Sequence, residues 1–190
     1  MSELEVNKPT TALVVIDLQK GIAAQPAQPY PAQEVVRNAA LLVAAFRKHG
    51  MPVFLVHVVH SPGTMLNVKS DTSFSRPVPL PPDWSEFVPE IAPVLSDIII
   101  AKKQWGAFYG TDLELQLRRR GMDTIVLCGI ATDFGVESTA RFAYEYGFQQ
   151  VFSEDAMASQ SKEQHTAAVN FIFRRMGRVR KTDEILRALG

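Results

Sequence analysis

Asp17 stands directly after the apolar run Ala12–Ile16, and Lys102 directly after Ile98–Ala101. A carboxyl at the end of such a run is partly desolvated, which raises its pKa, while a nearby cation lowers it; Asp17 is therefore a candidate acid or base. Lys102 is the matching candidate for holding that carboxyl ionised or for stabilising developing negative charge. Taken singly, a capping aspartate and a solvent-facing lysine explain the two as well. They gain weight from a third segment, Gly129 to Ala140, which reads as a strand-to-helix turn leading into the small-residue start Ser138, Thr139 and Ala140. Backbone N–H groups at a helix start bind an anion or oxyanion without any side chain, which gives a backbone role to Ile130, Ala131 and Gly135. Gly135 also lets a ligand approach closely. His60, at a strand end, is a candidate lining residue or a hydrogen-bonded edge histidine. Trp105, Phe108 and Phe134 flank the same segments and suit an apolar or ring-shaped ligand, although core packing explains each one individually.

These positions depend on elements that recur in a regular order. Ala12–Ile16 is short, β-branched and continuously apolar, the pattern of a strand buried on both faces of a parallel sheet. From Glu34 to His49, Val35, Ala39, Leu42, Val43 and Phe46 share one helical face, and Gly50 and Pro52 close the helix. Val53–Val59 returns to the strand pattern and completes a β-α-β unit. Further strands are expected at Asp97–Ala101, Thr124–Cys128, Gln150–Ser153 and around Val179, with helices at Thr111–Arg120, Phe134–Tyr146, Lys162–Met176 and from Asp183. Six strands alternating with helices predict a single α/β domain over residues 1–190, doubly wound, with a mostly parallel sheet. Ligands in such sheets sit outside the carboxyl ends of the strands, where Asp17, Lys102 and the 129–135 turn fall. Between Pro62 and Pro93 lie seven of the twelve prolines, so one long irregular excursion is expected there, a lid, a binding loop or an oligomer-contact insertion. Its apolar residues Phe74, Leu80, Trp84, Phe87 and Val88 need the domain's surface or a neighbouring subunit, which predicts a homo-oligomer with its interface close to the site.

Composition narrows the partners. A chain of 190 residues that is 46% hydrophobic and 21% charged is an ordinary globular protein, which excludes disorder and a disulfide scaffold. Lys and Arg number 20 and Asp and Glu 20, so no net field favours nucleic acid or an anionic membrane. Arg118–Arg120 and the cluster Arg174, Arg175, Arg178, Arg180 and Lys181 read as solvated faces or subunit contacts. No apolar run approaches the ~20 residues of a membrane-spanning helix, and the acidic start Glu3 and Glu5 is unlike a secretory signal. The one cysteine, Cys128, lies within an apolar strand and forms no internal disulfide; cytoplasm is the expected compartment. No dinucleotide fingerprint or phosphate-binding loop is present in the sequence, so no nucleotide cofactor is expected.

The segments VVIDLQ around Asp17, AKKQWGAFYGTDL around Lys102, and GIATDFGVESTARFAYEYGF followed by Asp155 and Ala156 resemble the isochorismatase-like (cysteine hydrolase) superfamily. The likeness covers essentially the whole chain and is greatest to bacterial isochorismatase-domain hydrolases of unassigned substrate. It implies a Rossmann-like three-layer α/β/α domain with six parallel strands, and a pocket holding an Asp, a Lys and a Cys. It also implies frequent oligomers and a cis peptide, which here falls between Ile130 and Ala131. Asp17 and Lys102 match the first two pocket residues. Gly135 stands where the usual motif has its cysteine, so hydrolysis through a covalent acyl-enzyme lacks its attacking atom. Isochorismatases that cleave a vinyl ether are similar in having glycine there and use the aspartate as an acid. The Asp-x-His pair with which nicotinamidases bind a metal is replaced by Val58, Val59 and His60; His57 and His60 face opposite sides of a strand, and no metal is expected. Ala131 replaces the tyrosine of true isochorismatases, which argues against isochorismate as substrate. The expectation is a small-molecule hydrolase working through Asp17 and Lys102 by acid-base and electrostatic catalysis, without a cysteine nucleophile or a cofactor. The alternative is a catalytically silent relative that binds a metabolite or a protein partner.

Overall fold

A computed structural model describes residues 4–60, 66, 68–72 and 79–190. Six strands run through it: β1 (Thr11–Ile16), β2 (Val53–Val58), β3 (Ile98–Lys102), β4 (Thr124–Ile130), β5 (Gln149–Ala158) and β6 (Arg178–Arg180). They form one sheet in the order β3-β2-β1-β4-β5-β6, with every neighbouring pair parallel. The helices are α1 (Lys20–Ala23), α2 (Ala32–Lys48), α3 (Leu113–Arg119), α4 (Glu137–Glu145), α5 (Lys162–Ala167), α6 (Arg174–Met176) and α7 (Thr182–Leu189). Wider π-type turns lead into α4 at Thr132–Val136 and join α5 to α6 at Ala168–Phe173.

β1 explains the three layers. Every residue of it is buried, and its side chains alternate between two cores as the pleat requires. Leu13 and Val15 pack with Val35, Leu42 and Phe46 of α2 and Ile185 of α7. Ala12, Val14 and Ile16 point the other way, toward Leu117 of α3, Ala140 of α4 and Phe173. A strand covered on both faces has no solvent side, which is why it reads as a continuous apolar run.

Two expectations shift. β5 reaches Ala158 rather than ending at Ser153, because the polar residues that follow find partners: Asp155 Oδ1 accepts bonds from the Thr182 N–H at 2.7 Å and the Thr182 hydroxyl at 2.8 Å. The second shift concerns the proline-rich excursion, whose segment 83–91 lies as a strap across residues 18–22. Val88 N–H donates to Leu18 O, Lys20 N–H to Glu86 O and Gly21 N–H to Trp84 O, at 2.8–3.1 Å. Trp84 and Val88 are buried by their own chain, and Phe87 stacks on His57. These residues take the domain's own surface, so they no longer argue for a subunit contact; Phe74 lies outside the described residues. None of the described helices is long and apolar enough to cross a membrane.

Candidate active site

The sheet order turns at β1, whose two neighbours β2 and β4 are continued in opposite directions, and a crevice opens at the carboxyl ends of β1 and β4. Asp17 is the first residue past β1. Its backbone N–H donates to Val56 O at 2.9 Å, and its φ of 55° is the sole positive value among the described non-glycine residues. Aspartate tolerates that left-handed conformation better than most side chains, and such residues concentrate at functional sites. The turn brings the carboxylate back over the sheet end, where the side chain is 5% exposed.

Lys102 is the last residue of β3, two strands away. Its aliphatic stem is buried across the end of β2, and its Nζ reaches Asp17 Oδ2 at 2.8 Å. The same ammonium donates to Gln104 O at 3.0 Å and Trp105 O at 2.8 Å. Its three N–H bonds are thus directed at three oxygens, which holds it as a fixed cation beside the carboxylate.

The third wall is the turn after β4. Gly129 has φ 128°, and a Cβ on it would lie 2.0 Å from Ile16 O; only glycine lets β4 press so closely on the end of β1. The Ile130–Ala131 peptide is cis, as the family resemblance implies. Gly135 faces the ion pair: a Cβ there would stand 2.9 Å from Ile16 Cγ2 and 3.1 Å from Asp17 Oδ2. Thr139 of α4 accepts from the Ala107 N–H at 3.0 Å and donates to Gly135 O at 2.6 Å, tying the turn to the segment after β3.

Together these residues floor a cavity of about 400 Å³. Trp84, Trp105 and Phe134 form its aromatic walls, with Ile22, Pro26 and Val58 beside them, and Trp105 meets Phe134 edge to face at 4.9 Å. Ile130 and Ala131 line it as well. Two other candidates lie elsewhere. Phe108 is buried in the core against Phe148 and Tyr146, and so does not line the cavity. His60 stands behind the wall, in edge contact with Trp84 at 5.0 Å. Cys128 is fully buried, and burial pushes its thiol up to about 12, so it is inert at neutral pH.

Several site features were not visible in the sequence. Trp84 is held over Gly21, where a Cβ would come within 2.0 Å of the indole, and no local pattern announces that meeting. Behind the turn, the Thr132 hydroxyl meets His165 Nδ1 at 2.9 Å; the far nitrogen of His165 lies 3.5 Å from Glu154, which also binds Lys181 and Tyr30. Burial pushes the Glu154 carboxyl up, but bonds from His165, Lys181 and Tyr30 outweigh it and hold it at about 2. Glu154 in turn raises Lys181 against the effect of burial. The acidic pair Glu154 and Asp155 between the apolar stretches of β5 was the available signal for this network.

Residues 11–184 match the isochorismatase domain. The chain belongs to the isochorismatase family. It is 54% identical over 187 residues to YecD of Escherichia coli O157:H7, an uncharacterized isochorismatase family protein, covering 98% of this chain and all of that one. Among solved structures, an isochorismatase family protein from Burkholderia thailandensis superposes with a TM-score of 0.93 at 45% identity, over 99% of each chain. N-carbamoylsarcosine amidase from Thermoplasma acidophilum matches with a TM-score of 0.74 at 28% identity, over 92% of this chain and 97% of that one. The protein is thus an isochorismatase-family hydrolase by descent, and its crevice lies where such α/β sheets bind ligands.

Proposed function

We propose that this protein hydrolyses a small molecule in the crevice by proton transfer through Asp17, with Lys102 as a fixed cation and no covalent enzyme intermediate. The observation that carries the reading is the buried Asp17–Lys102 pair at 2.8 Å, facing a position, Gly135, that offers no side chain. Lys102 spends its donors on Asp17 Oδ2 and two carbonyls, which leaves the carboxylate as the group that moves protons. Asp17 takes a proton from a water attacking the electrophilic carbon and returns it to the departing oxygen or nitrogen; one water is consumed and Asp17 ends as it began. The ammonium beside it stabilises the negative charge that develops during the reaction, in a site largely shielded from solvent, where such electrostatic effects are strongest. Backbone groups of Ile130, Ala131 and Gly135 border the same floor.

The test is a screen of small ethers, enol ethers, esters and amides with wild type and Asp17→Asn. Turnover that falls at least a hundredfold in the variant is expected for loss of a general acid-base group. Equal rates in the two proteins remove Asp17 from the mechanism. Ligands that bind both proteins and return chemically unchanged favour a silent relative that binds a metabolite.

A further inference from the structure

Ser159 follows β5 at the edge of the cavity and is 1% exposed. Its backbone is fully engaged, the N–H donating to Gln28 O and the carbonyl accepting from the Gln28 N–H, both at 2.8 Å. Its hydroxyl is shielded from solvent yet has no hydrogen-bond partner among the described residues. Native folds satisfy nearly all buried polar groups, so a buried hydroxyl left over beside a cavity points to a partner that arrives with the ligand.

The remaining lining sets the character of that ligand. Asp17 and Lys102 are the only ionisable side chains lining the cavity among the described residues, and they neutralise each other. The broad walls are aromatic or aliphatic, with Trp84, Trp105, Phe134 and Ile22 presenting flat apolar surface. We propose that the cavity takes a neutral molecule with a flat apolar body and a carbonyl or hydroxyl group, and that Ser159 Oγ hydrogen-bonds that group and so selects the substrate. This inference rests on reading the cavity as the substrate site; it does not depend on how turnover proceeds.

Trp84 and Trp105 are the two tryptophans of the chain, and both line the cavity, so intrinsic fluorescence reports its occupancy. Three probes separate the contributions: acetophenone; α-methylstyrene, which keeps the shape without the carbonyl oxygen; and benzoate, which adds a charge. Wild type is expected to bind acetophenone roughly three- to tenfold more tightly than α-methylstyrene, the ratio that one net hydrogen bond supplies, and benzoate most weakly. Ser159→Ala is expected to erase the preference and to unfold at no lower temperature than wild type, because no protein group depends on that hydroxyl. A preference that survives in Ser159→Ala overturns the proposal, as does tighter binding of benzoate. So does a clear fall in the variant's melting temperature, or a failure of all three probes to alter the emission. None of these readouts involves turnover. Equal rates for wild type and Asp17→Asn would sink the hydrolytic mechanism and leave the Ser159 contact standing.

Discussion

Replacing Lys102 with methionine tests whether the ion pair is as buried as its geometry indicates. The two side chains are 1% and 5% exposed and 2.8 Å apart, so Lys102→Met leaves the Asp17 carboxylate in a site that water barely reaches. It also strips a donor from Gln104 O and Trp105 O. Breaking a buried pair by removing one partner costs about 3–5 kcal/mol, most of it from the uncompensated charge. Against a total stability of about 5–15 kcal/mol, that is a fifth of the fold's reserve or more. With a urea slope of about 2–3 kcal/mol/M, the unfolding midpoint is expected to fall by about 1–2.5 M. The double variant Asp17→Asn/Lys102→Met removes both charges and is expected to regain at least half of that loss. A single variant that loses under about 1 kcal/mol, the range of hydrated surface pairs, refutes the argument. So does a double variant no more stable than the single one, because the penalty would then not be one of stranded charge.

Three further outcomes follow from the same geometry. A carboxyl whose pKa is depressed on folding stabilises the native state above its unfolded value, and that contribution drains away as pH falls through the folded value. With Glu154 held at about 2 against an ordinary value of 4.5, wild type should lose about 2–3 kcal/mol between those two pH values. Chemical denaturation of Glu154→Gln across that range should show a flatter curve, and an unchanged slope would dismiss the network as a source of stability. Gly135→Cys places a Cβ 2.9 Å from Ile16 Cγ2 and 3.1 Å from Asp17 Oδ2, so it should destabilise by about 1–3 kcal/mol as its neighbours shift. Mass spectrometry after brief iodoacetamide treatment should find the new thiol labelled ahead of Cys128; labelling of Cys128 first in the folded protein would contradict the burial assigned to it. Gly21→Ala sets a methyl 2.0 Å from the Trp84 indole and should displace that ring, shifting tryptophan emission to the red and lowering the melting temperature; an unchanged spectrum would mean that the indole is not held there.

The sheet and the ion pair were legible because their signals are local. The run Ala12–Ile16 has no polar side, which only a doubly covered strand satisfies, and the first polar residue after such a strand must lie at the sheet's end. Lys102 likewise ends the apolar run Ile98–Ala101, but that run is an edge strand with Ile99 exposed rather than a doubly covered one. The three acceptors of Lys102 come from the residue after β1 and from the loop after β3 and could not be read from spacing. β5 was cut short because Glu154 and Asp155 look like a strand terminus until Tyr30, Lys181 and Thr182 are brought to them. Phe108 and Trp105 lie three residues apart in the same aromatic-rich loop, and nothing local says that one turns into the core while the other faces the cavity. Trp84 was legible as an apolar residue seeking cover, but its cover, Gly21, is far away in sequence.

Gln19 is where three distant stretches of chain are knotted into one wall. Its carboxamide accepts from the Val58 N–H at 2.8 Å and donates to Val58 O at 3.3 Å and to Trp84 O at 3.1 Å, joining partners 39 and 65 residues along the chain. The side chain is fully buried, so these bonds break only when the strap lifts as a piece. Access to the crevice along this edge is then a local unfolding equilibrium rather than a side-chain fluctuation. The amide protons of Lys20, Gly21 and Val88 belong to that cooperative unit, and they should exchange with solvent together, ahead of those in β1. A ligand that packs against Trp84 would slow all three at once, so the wall's opening and the crevice's occupancy share one free-energy scale.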